Sequence, residues 1–200
     1  MLTGGRERGV TLIELAIGLA ILAILVTLAL PNFAIFLQNT QIRNAAETTL
    51  AGLTLARAEA VRRNASVRFQ LVNELSNACE PNASSLNWVV SLTDATGLCA
   101  TDPGVEPPGI IQTKAAAEGS RNVTVSADAG AVFVFNALGR LTNVAGTVRI
   151  DFRNPTGGAC EHEDAGGTMR CLRIEVSSSG AARICDPRVS APADPRLCAS

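Results

Sequence analysis

The sequence predicts an α+β fold, in which a long N-terminal helix packs on an antiparallel β-sheet domain with disulfides. Three features predict it: an apolar run at the start, a helical apolar stripe after it, and short β-rich segments over the rest of the 200 residues. Hydrophobic residues make up 47% and charged residues 18%, which is typical of a folded chain. The net charge of -1 excludes a global basic field of the kind that binds nucleic acid.

The start of the chain combines a basic segment with an apolar one. Residues 1–9 are polar, with Arg6 and Arg8 outweighing Glu7, and residues 10–30 are mainly apolar. A run of this length can cross a bilayer as a helix, with its basic flank in the cytoplasm. A secretory signal peptide is the alternative, but its apolar region is usually shorter and ends at a small-x-small cleavage site. We therefore expect a leader peptide followed by a transmembrane segment.

Glu14 is a carboxylate placed inside this apolar run. A charge at such a position is costly unless it has a partner of opposite charge. Cleavage between Gly9 and Val10 would supply one, because the new α-amino group of Val10 lies one helical turn from Glu14. The carboxylate could pair with that amine locally, or with the amine of a neighbouring chain in a helical bundle. An ordinary interfacial charge at the headgroup level is an equally weighted alternative.

The segment from Arg8 to Glu14 reads Arg-Gly-Val-Thr-Leu-Ile-Glu. It resembles the processing site of type IV prepilins and pseudopilins, although Val10 stands where the first mature residue is usually Phe. The resemblance implies that a prepilin peptidase cuts after Gly9 on the cytoplasmic side and N-methylates Val10. It also implies that Glu14 pairs with the amine of an adjacent subunit during assembly.

A second apolar pattern, with steps of three and four residues, follows the run. It predicts the buried face of an amphipathic helix, so that one helix extends from Val10 to about Arg63 with Asn64 as its C-cap. Pro31 either ends the membrane span or, as in filaments of the resembling family, marks a kink where the helix can open. The stripe consists of Phe33, Phe36, Leu37, Ile42, Ala45, Ala46, Leu50, Leu53, Ala56, Ala60 and Val61.

The remaining residues alternate between β-rich and turn-rich segments, which predicts an antiparallel sheet packed against the helix. The resulting organisation is a leader at 1–9, a helix at 10–64 with its membrane and filament-core part at 10–30, and a β-rich periplasmic domain at 65–200. The predicted strands are Ser66–Val72, Asn87–Leu92, Gly109–Gln112, Asn122–Ala127, Ala131–Phe135, Gly146–Phe152, Arg170–Ser177 and Ala181–Cys185.

Two stretches of this domain carry a second resemblance. Residues 133–140 and 176–187 are similar to the C-terminal domain of the GspH/FimT family, which includes FimU-like minor pilins, where a strand-turn-glycine hairpin closes the fold near a Cys-Asp-Pro. The helix end Ala-Arg-Ala-Glu-Ala-Val-Arg-Arg-Asn extends the similarity over most of the chain. The loop-rich region at 74–118 has no match. The resemblance implies a type IV pilin-like fold.

The six cysteines lack the paired C-x-x-C spacing of structural zinc sites, so disulfides in an oxidising compartment are the better interpretation. Their connectivity does not follow from the sequence. Sequential pairing is preferred, and a bridge between Cys171 and Cys185 across the last hairpin competes with it. The preferred pairs are Cys79 with Cys99, Cys160 with Cys171, and Cys185 with Cys198.

The single histidine, His162, lies among three acids in the segment 160–164. Adjacent residues rarely converge on one ion, so a solvated acidic loop is a better interpretation than a metal site. The same loop is rich in glycine and lacks the context of a nucleophile elbow. The sequence therefore predicts no metal, no cofactor, no catalytic residue and no enzymatic activity.

Arginines are concentrated in and after the last hairpin, where they could bind DNA phosphates. Some FimT-like proteins bind DNA during natural transformation through a C-terminal Gly-Arg-x-Arg motif. The matching residues here are Gly180-Ala-Ala-Arg183, so one arginine is missing, and nearby acids dilute the positive charge. Arg183 and Arg188 are the candidate DNA-binding residues. The cluster consists of Arg170, Arg173, Arg183, Arg188 and Arg196.

Together these features predict a minor pilin or pseudopilin, a structural subunit that takes part in type IV pilus biogenesis in an initiating or tip complex. The alternatives are a DNA-binding minor pilin for DNA uptake and a pseudopilin of a type II secretion system. The expected partners are other major and minor pilins, the prepilin peptidase and the inner membrane, with DNA added under the uptake alternative. The expected location is the bacterial inner membrane, single-pass with a periplasmic C-terminal domain, and then the pilus or pseudopilus.

Overall fold

The computed structural model describes residues 11–199. Its first element, α1, is a helix of 52 residues from Leu12 to Arg63. Asn64 ends it in the left-handed conformation, with φ 50°, and its N–H donates to the carbonyls of Ala60 and Val61. Asparagine tolerates this conformation better than most residues, which is why the helix stops there. The predicted helix end and its cap are confirmed, whereas Val10, the predicted start, lies outside the described residues.

The helix is bent. Its parts Leu12–Thr27 and Asn32–Arg63 meet at an angle of 41°. Within residues 11–199, no single straight helix is long and apolar enough to cross a membrane, but this bent pair meets both criteria by length and composition. Pro31 lies between the two parts, and its role as the point where the helix opens remains a prediction.

Eight strands follow the helix, and both ends of each strand lie within two residues of the ends of a predicted strand. They form two four-stranded antiparallel sheets, with strand orders β3-β2-β1-β5 and β4-β6-β7-β8. The sequence predicted one sheet, and the division into two is a correction to it. The strands are β1 (Val67–Val72), β2 (Asn87–Ser91), β3 (Ile110–Lys114), β4 (Thr124–Ala127), β5 (Val132–Phe135), β6 (Val148–Arg153), β7 (Leu172–Val176) and β8 (Ala182–Cys185).

The C-terminal part of α1 packs on both sheets. Small residues on its buried face bring the helix close to the strands, and at Gly52 an added Cβ would lie 2.8 Å from the Phe69 ring and 3.1 Å from the Trp88 ring. Four phenylalanines of the strands are fully buried in the shared core, and burial of each side chain stabilises the fold by about 1.5–3 kcal/mol. They are Phe69, Phe133, Phe135 and Phe152.

Three disulfides link the cysteines sequentially: Cys79–Cys99, Cys160–Cys171 and Cys185–Cys198. The competing bridge between Cys171 and Cys185 does not form. In the β7–β8 ladder, Cys185 lies opposite Arg173 and not opposite Cys171.

Candidate functional site

The first half of α1 is an uncovered apolar surface. Leu12 is 85% exposed and Ile13 69% exposed, and large apolar side chains continue to be exposed as far as Leu37. A soluble monomer rarely exposes an apolar surface of this extent, so it indicates contact with lipid or with other proteins. Gly9 and Val10, the predicted processing residues, lie outside the described residues.

Glu14 lies in the first turn of α1 and is exposed. Its backbone N–H donates to the hydroxyl of Thr11 at 3.3 Å, which makes Thr11 the N-cap of the helix. This role of Thr11 was not predicted from the sequence. The sequence does contain a pattern that indicates it, because Thr-x-x-Glu before an apolar run is the capping-box pattern. A negative charge in the first turn is also favoured by the helix dipole.

Further along α1, a group of amide side chains forms hydrogen bonds between the helix and the β-rich domain. We call Gln38, Asn39, Gln41 and Asn44 the polar seam. Asn39 Nδ2 donates to the carbonyl of Thr168 at 3.2 Å, and Asn39 Oδ1 accepts from the N–H of Arg170 at 2.7 Å. Since both partners are backbone groups, Asn39 acts as a clamp between the helix and the segment that enters β7.

The other seam residues bind two further loops. Asn154, which is fully buried, donates to Gln38 Oε1 at 2.6 Å. Gln41 Oε1 accepts from the N–H of Asn122 at 3.3 Å, and Asn44 donates to the Ser120 hydroxyl at 3.3 Å. The seam begins where the exposed apolar surface of α1 ends. The sequence did not predict the seam, since the partners of these amides lie far away in the chain.

Each arginine of the cluster predicted for DNA binding forms an ion pair with a carboxylate. Arg183 lies opposite Glu175 in the β7–β8 ladder, and Arg183 Nη2 is 2.7 Å from Glu175 Oε2. Arg188 pairs with Glu161. These pairs neutralise both candidate DNA-binding residues, so the structure gives no specific support to DNA binding.

The other three arginines of the cluster are paired as well. The closest nitrogen-to-oxygen distances are 2.8 Å for Arg170 with Asp186, 2.8 Å for Arg173 with Asp151, and 2.7 Å for Arg196 with Asp194. Hydrogen bonds from Arg196 lower the pKa of Asp194 to about 2. The hydrogen bonds that Arg173 donates to the Asp151 carboxylate raise the pKa of Arg173.

A mixed-charge surface lies where α1 meets the C-terminal hairpin. Three adjoining cavities, with volumes of about 290, 400 and 530 Å³, follow the exposed side of the helix. Arg43 lines all three. The largest is lined on the helix by Phe36, Asn39, Thr40 and Arg43, and on the domain by Glu161, Arg170, Leu172 and Arg188.

The acidic loop around His162 is held by arginines. Arg153 Nη2 is 2.6 Å from Glu163, and Glu161 pairs with Arg188. Within residues 11–199, the structure brings together one group with the spacing of metal ligands, namely Glu175, Cys185 and Cys198. Its two sulfurs form a disulfide, so they are not free to bind an ion.

Two family models match the chain. The model described as Type II transport protein GspH matches residues 45–180. The model described as the prokaryotic N-terminal methylation motif matches residues 5–30. The first covers the second half of α1 and the domain as far as the β7–β8 turn, and the second covers the apolar run with Glu14. No curated protein matches the chain.

Among solved structures, the chain is similar to the type IV minor pilin FimU of Pseudomonas aeruginosa in two crystal forms. One form has 18% sequence identity and a TM-score of 0.50, with 79% of this chain and 97% of FimU covered. The other has 17% identity and a TM-score of 0.49, with 76% and 97% covered. At this identity the first form is evidence for the fold alone, which is that of a pilin.

Proposed function

The chain belongs to the GspH family of type II transport proteins, and we propose that it is a minor pilin that takes part in assembling a type IV pilus. Its role is structural, as in other members of the family. We place it with sibling subunits in the complex that initiates the fibre or caps its tip. The observation that carries this proposal is the exposed apolar half of α1, which carries Glu14 as its one charge between residues 12 and 30.

The proposed mechanism begins at the inner membrane. Residues 10–30 anchor the subunit with its domain in the periplasm, and a prepilin peptidase removes residues 1–9. Cleavage creates the positive α-amine of Val10 near the Glu14 carboxylate. Transfer of the helix from lipid to a bundle of other helices exchanges one apolar environment for another, so the charge on Glu14 becomes the main obstacle. Pairing with the α-amine of a neighbouring subunit removes that obstacle and sets the register between subunits.

A pseudopilin of a type II secretion system is the second candidate function. The description of the matching family model favours it, since it names type II transport. The two candidates share the fold and the assembly chemistry, and they differ in the system that the fibre serves. Deletion of the gene distinguishes them, because loss of surface pili supports the first candidate and loss of protein secretion with intact pili supports the second.

Glu14→Gln tests the proposed assembly step. The variant keeps the size of the side chain but cannot pair with an amine as an anion, so we expect normal processing and membrane insertion with at least about a tenfold loss of the subunit from sheared fibres. The measurement is the ratio of subunit in sheared fibres to subunit in membranes. Glu106→Gln, an equal change at an exposed position of the domain, is the control. Normal recovery of Glu14→Gln in fibres would contradict the proposed role of the carboxylate.

A further inference from the structure

Arg43 is an exposed arginine without a partner at the centre of the surface beside α1. Among residues 11–199, its side chain forms no ion pair and donates no hydrogen bond. Glu47 lies one turn later, but the two do not pair, and the order Arg before Glu is the less favourable one along a helix. The guanidinium of Arg43 is therefore available to a group from outside the chain.

The largest of the three cavities, of about 530 Å³, combines this charge with an apolar wall. Phe36, which is 63% exposed, and Leu172 supply the apolar surface. Of the three arginines that line it, Arg170 is paired with Asp186 and Arg188 with Glu161, so among the described residues the charge of Arg43 alone is unmatched. The cavity thus combines one unmatched positive charge with apolar surface, which fits an amphipathic segment that carries a carboxylate.

The position of the cavity identifies the kind of segment. It lies directly after the exposed apolar half of α1, and the exposed Phe36 of that half lines it. A neighbouring helix that packs on Phe36 and runs along α1 therefore also reaches Arg43. Arginine suits such a contact, because its planar fork binds a carboxylate at two points while its stem packs on apolar side chains.

We propose that this cavity docks the helix of a sibling filament subunit and that Arg43 binds an Asp or Glu of that helix. The proposal rests on the proposed function and adds to it a named contact and the chemistry of the partner. A second copy of this chain fits less well, since two identical helices side by side in parallel register bring Arg43 against Arg43. DNA also fits less well, because Arg170 and Arg188 are already paired with Asp186 and Glu161.

The test uses the full chain in cells that express its sibling subunits. A photo-crosslinking amino acid replaces Thr40, which is exposed and lines the cavity beside Arg43. Irradiated fibres and membranes are solubilised, and the cross-linked peptide is identified by mass spectrometry. We expect an acidic peptide from the N-terminal helix of another pilin-type subunit. The same amino acid at Ala58, exposed on the helix outside the three cavities, marks the background.

Charge reversal then tests the role of Arg43. Arg43→Glu replaces attraction by repulsion, so we expect the yield of the cross-link to fall about tenfold. Arg140→Glu makes the same change at an exposed arginine away from the cavity and should leave the yield within about twofold. Changing the identified acid of the partner to Arg should restore the cross-link to the Arg43→Glu chain.

Several results would overturn the proposal. The chain could reach the fibre without forming a cross-link at position 40. The cross-link could instead form to a second copy of the chain or to DNA, or its yield could stay the same in Arg43→Glu. Each of these leaves the proposed function intact, since the subunit still reaches the fibre. Failure of the chain to be processed or to reach fibres at all would instead count against the proposed function.

Discussion

Glu175 and Arg183 illustrate how much of the charge pattern depends on strand register. The sequence shows an arginine cluster with acids nearby, but it does not show which acid meets which arginine. The antiparallel β7–β8 ladder places Glu175 directly opposite Arg183, and the β6–β7 ladder places Asp151 opposite Arg173. Opposite charges that face each other across strands stabilise the ladder. The apparent cationic surface is therefore largely a set of ion pairs.

Glu59 gives a prediction of pH dependence. It pairs with Arg62 and Arg63 at 2.6 and 2.7 Å, and hydrogen bonds from Arg62 and then Arg63 lower its pKa from 4.5 to about 2. A lowered carboxyl pKa stabilises the fold above the unfolded pKa, and this contribution is lost as the pH falls from about 4.5 to about 2. Because the arginines are exposed, Glu59→Gln should cost no more than about 0.5–1 kcal/mol at neutral pH.

The measurement is urea unfolding of the wild type and Glu59→Gln across this pH range. Their difference in free energy of unfolding should shrink as the solution becomes more acidic. Glu106→Gln, a change at an exposed carboxylate without an arginine partner among the described residues, should show no such trend. A wild-type advantage that grows toward low pH would contradict the assigned pairing.

Gly180, in the turn between β7 and β8, gives a packing prediction. Its φ is +78°, and an added Cβ would overlap the carbonyl oxygen of Gly139. Gly180→Ala should therefore destabilise the domain by about 3 kcal/mol or more. Gly146 has a similar φ of +84° but has open space around it, so Gly146→Ala should cost only about 1–2 kcal/mol. Equal losses in urea unfolding would show that the close approach to Gly139 does not matter.

At the scale of elements, local sequence patterns predicted most of the structure. The apolar steps of three and four residues predicted the helix through about Arg63, with Asn64 as its C-cap. Alternation between β-rich segments and turns predicted all eight strands. The helix, its cap and the strands depend on residues that are close together in the chain, and local propensity and periodicity describe such residues.

The division of the strands between two sheets could not be predicted in the same way. β1 pairs with β5, and the connection between them contains three other strands. Such long-range pairing depends on how whole elements pack, and no local pattern encodes it. The polar seam was missed for the same reason, since Asn39 and its partner Arg170 are separated by 131 positions.

The seam makes a prediction about how the helix is held. Asn39→Ala removes both hydrogen bonds to the segment that enters β7, which should cost about 1–2 kcal/mol. The Arg170 amide should then exchange its hydrogen about tenfold faster, because local opening becomes easier. Thr48→Ala is the control, since its hydroxyl bonds within the helix to the carbonyl of Asn44 at 2.8 Å. An unchanged rate of hydrogen exchange at the Arg170 amide in Asn39→Ala would contradict the claim that Asn39 holds the helix to this segment.

As a whole, the molecule has two parts with different surfaces. The domain is a closed α+β body with a shared core and three disulfides. The first half of α1 keeps large apolar side chains exposed from Leu12 to Leu37, and among its described residues Ile35 is partly buried against the core. An unfolding transition of the domain should therefore be insensitive to changes in this half, whereas membrane insertion and assembly should depend on it.

The measurement that tests the central claim most directly is the N-terminal sequence and mass of the chain expressed with and without a prepilin peptidase. A filament subunit of this family is predicted to lose residues 1–9 only when the peptidase is present, and to carry a methylated amine on Val10. An intact N-terminus in both cases, or cleavage beyond Pro31, would contradict the claim that the chain is processed and assembled as a pilin.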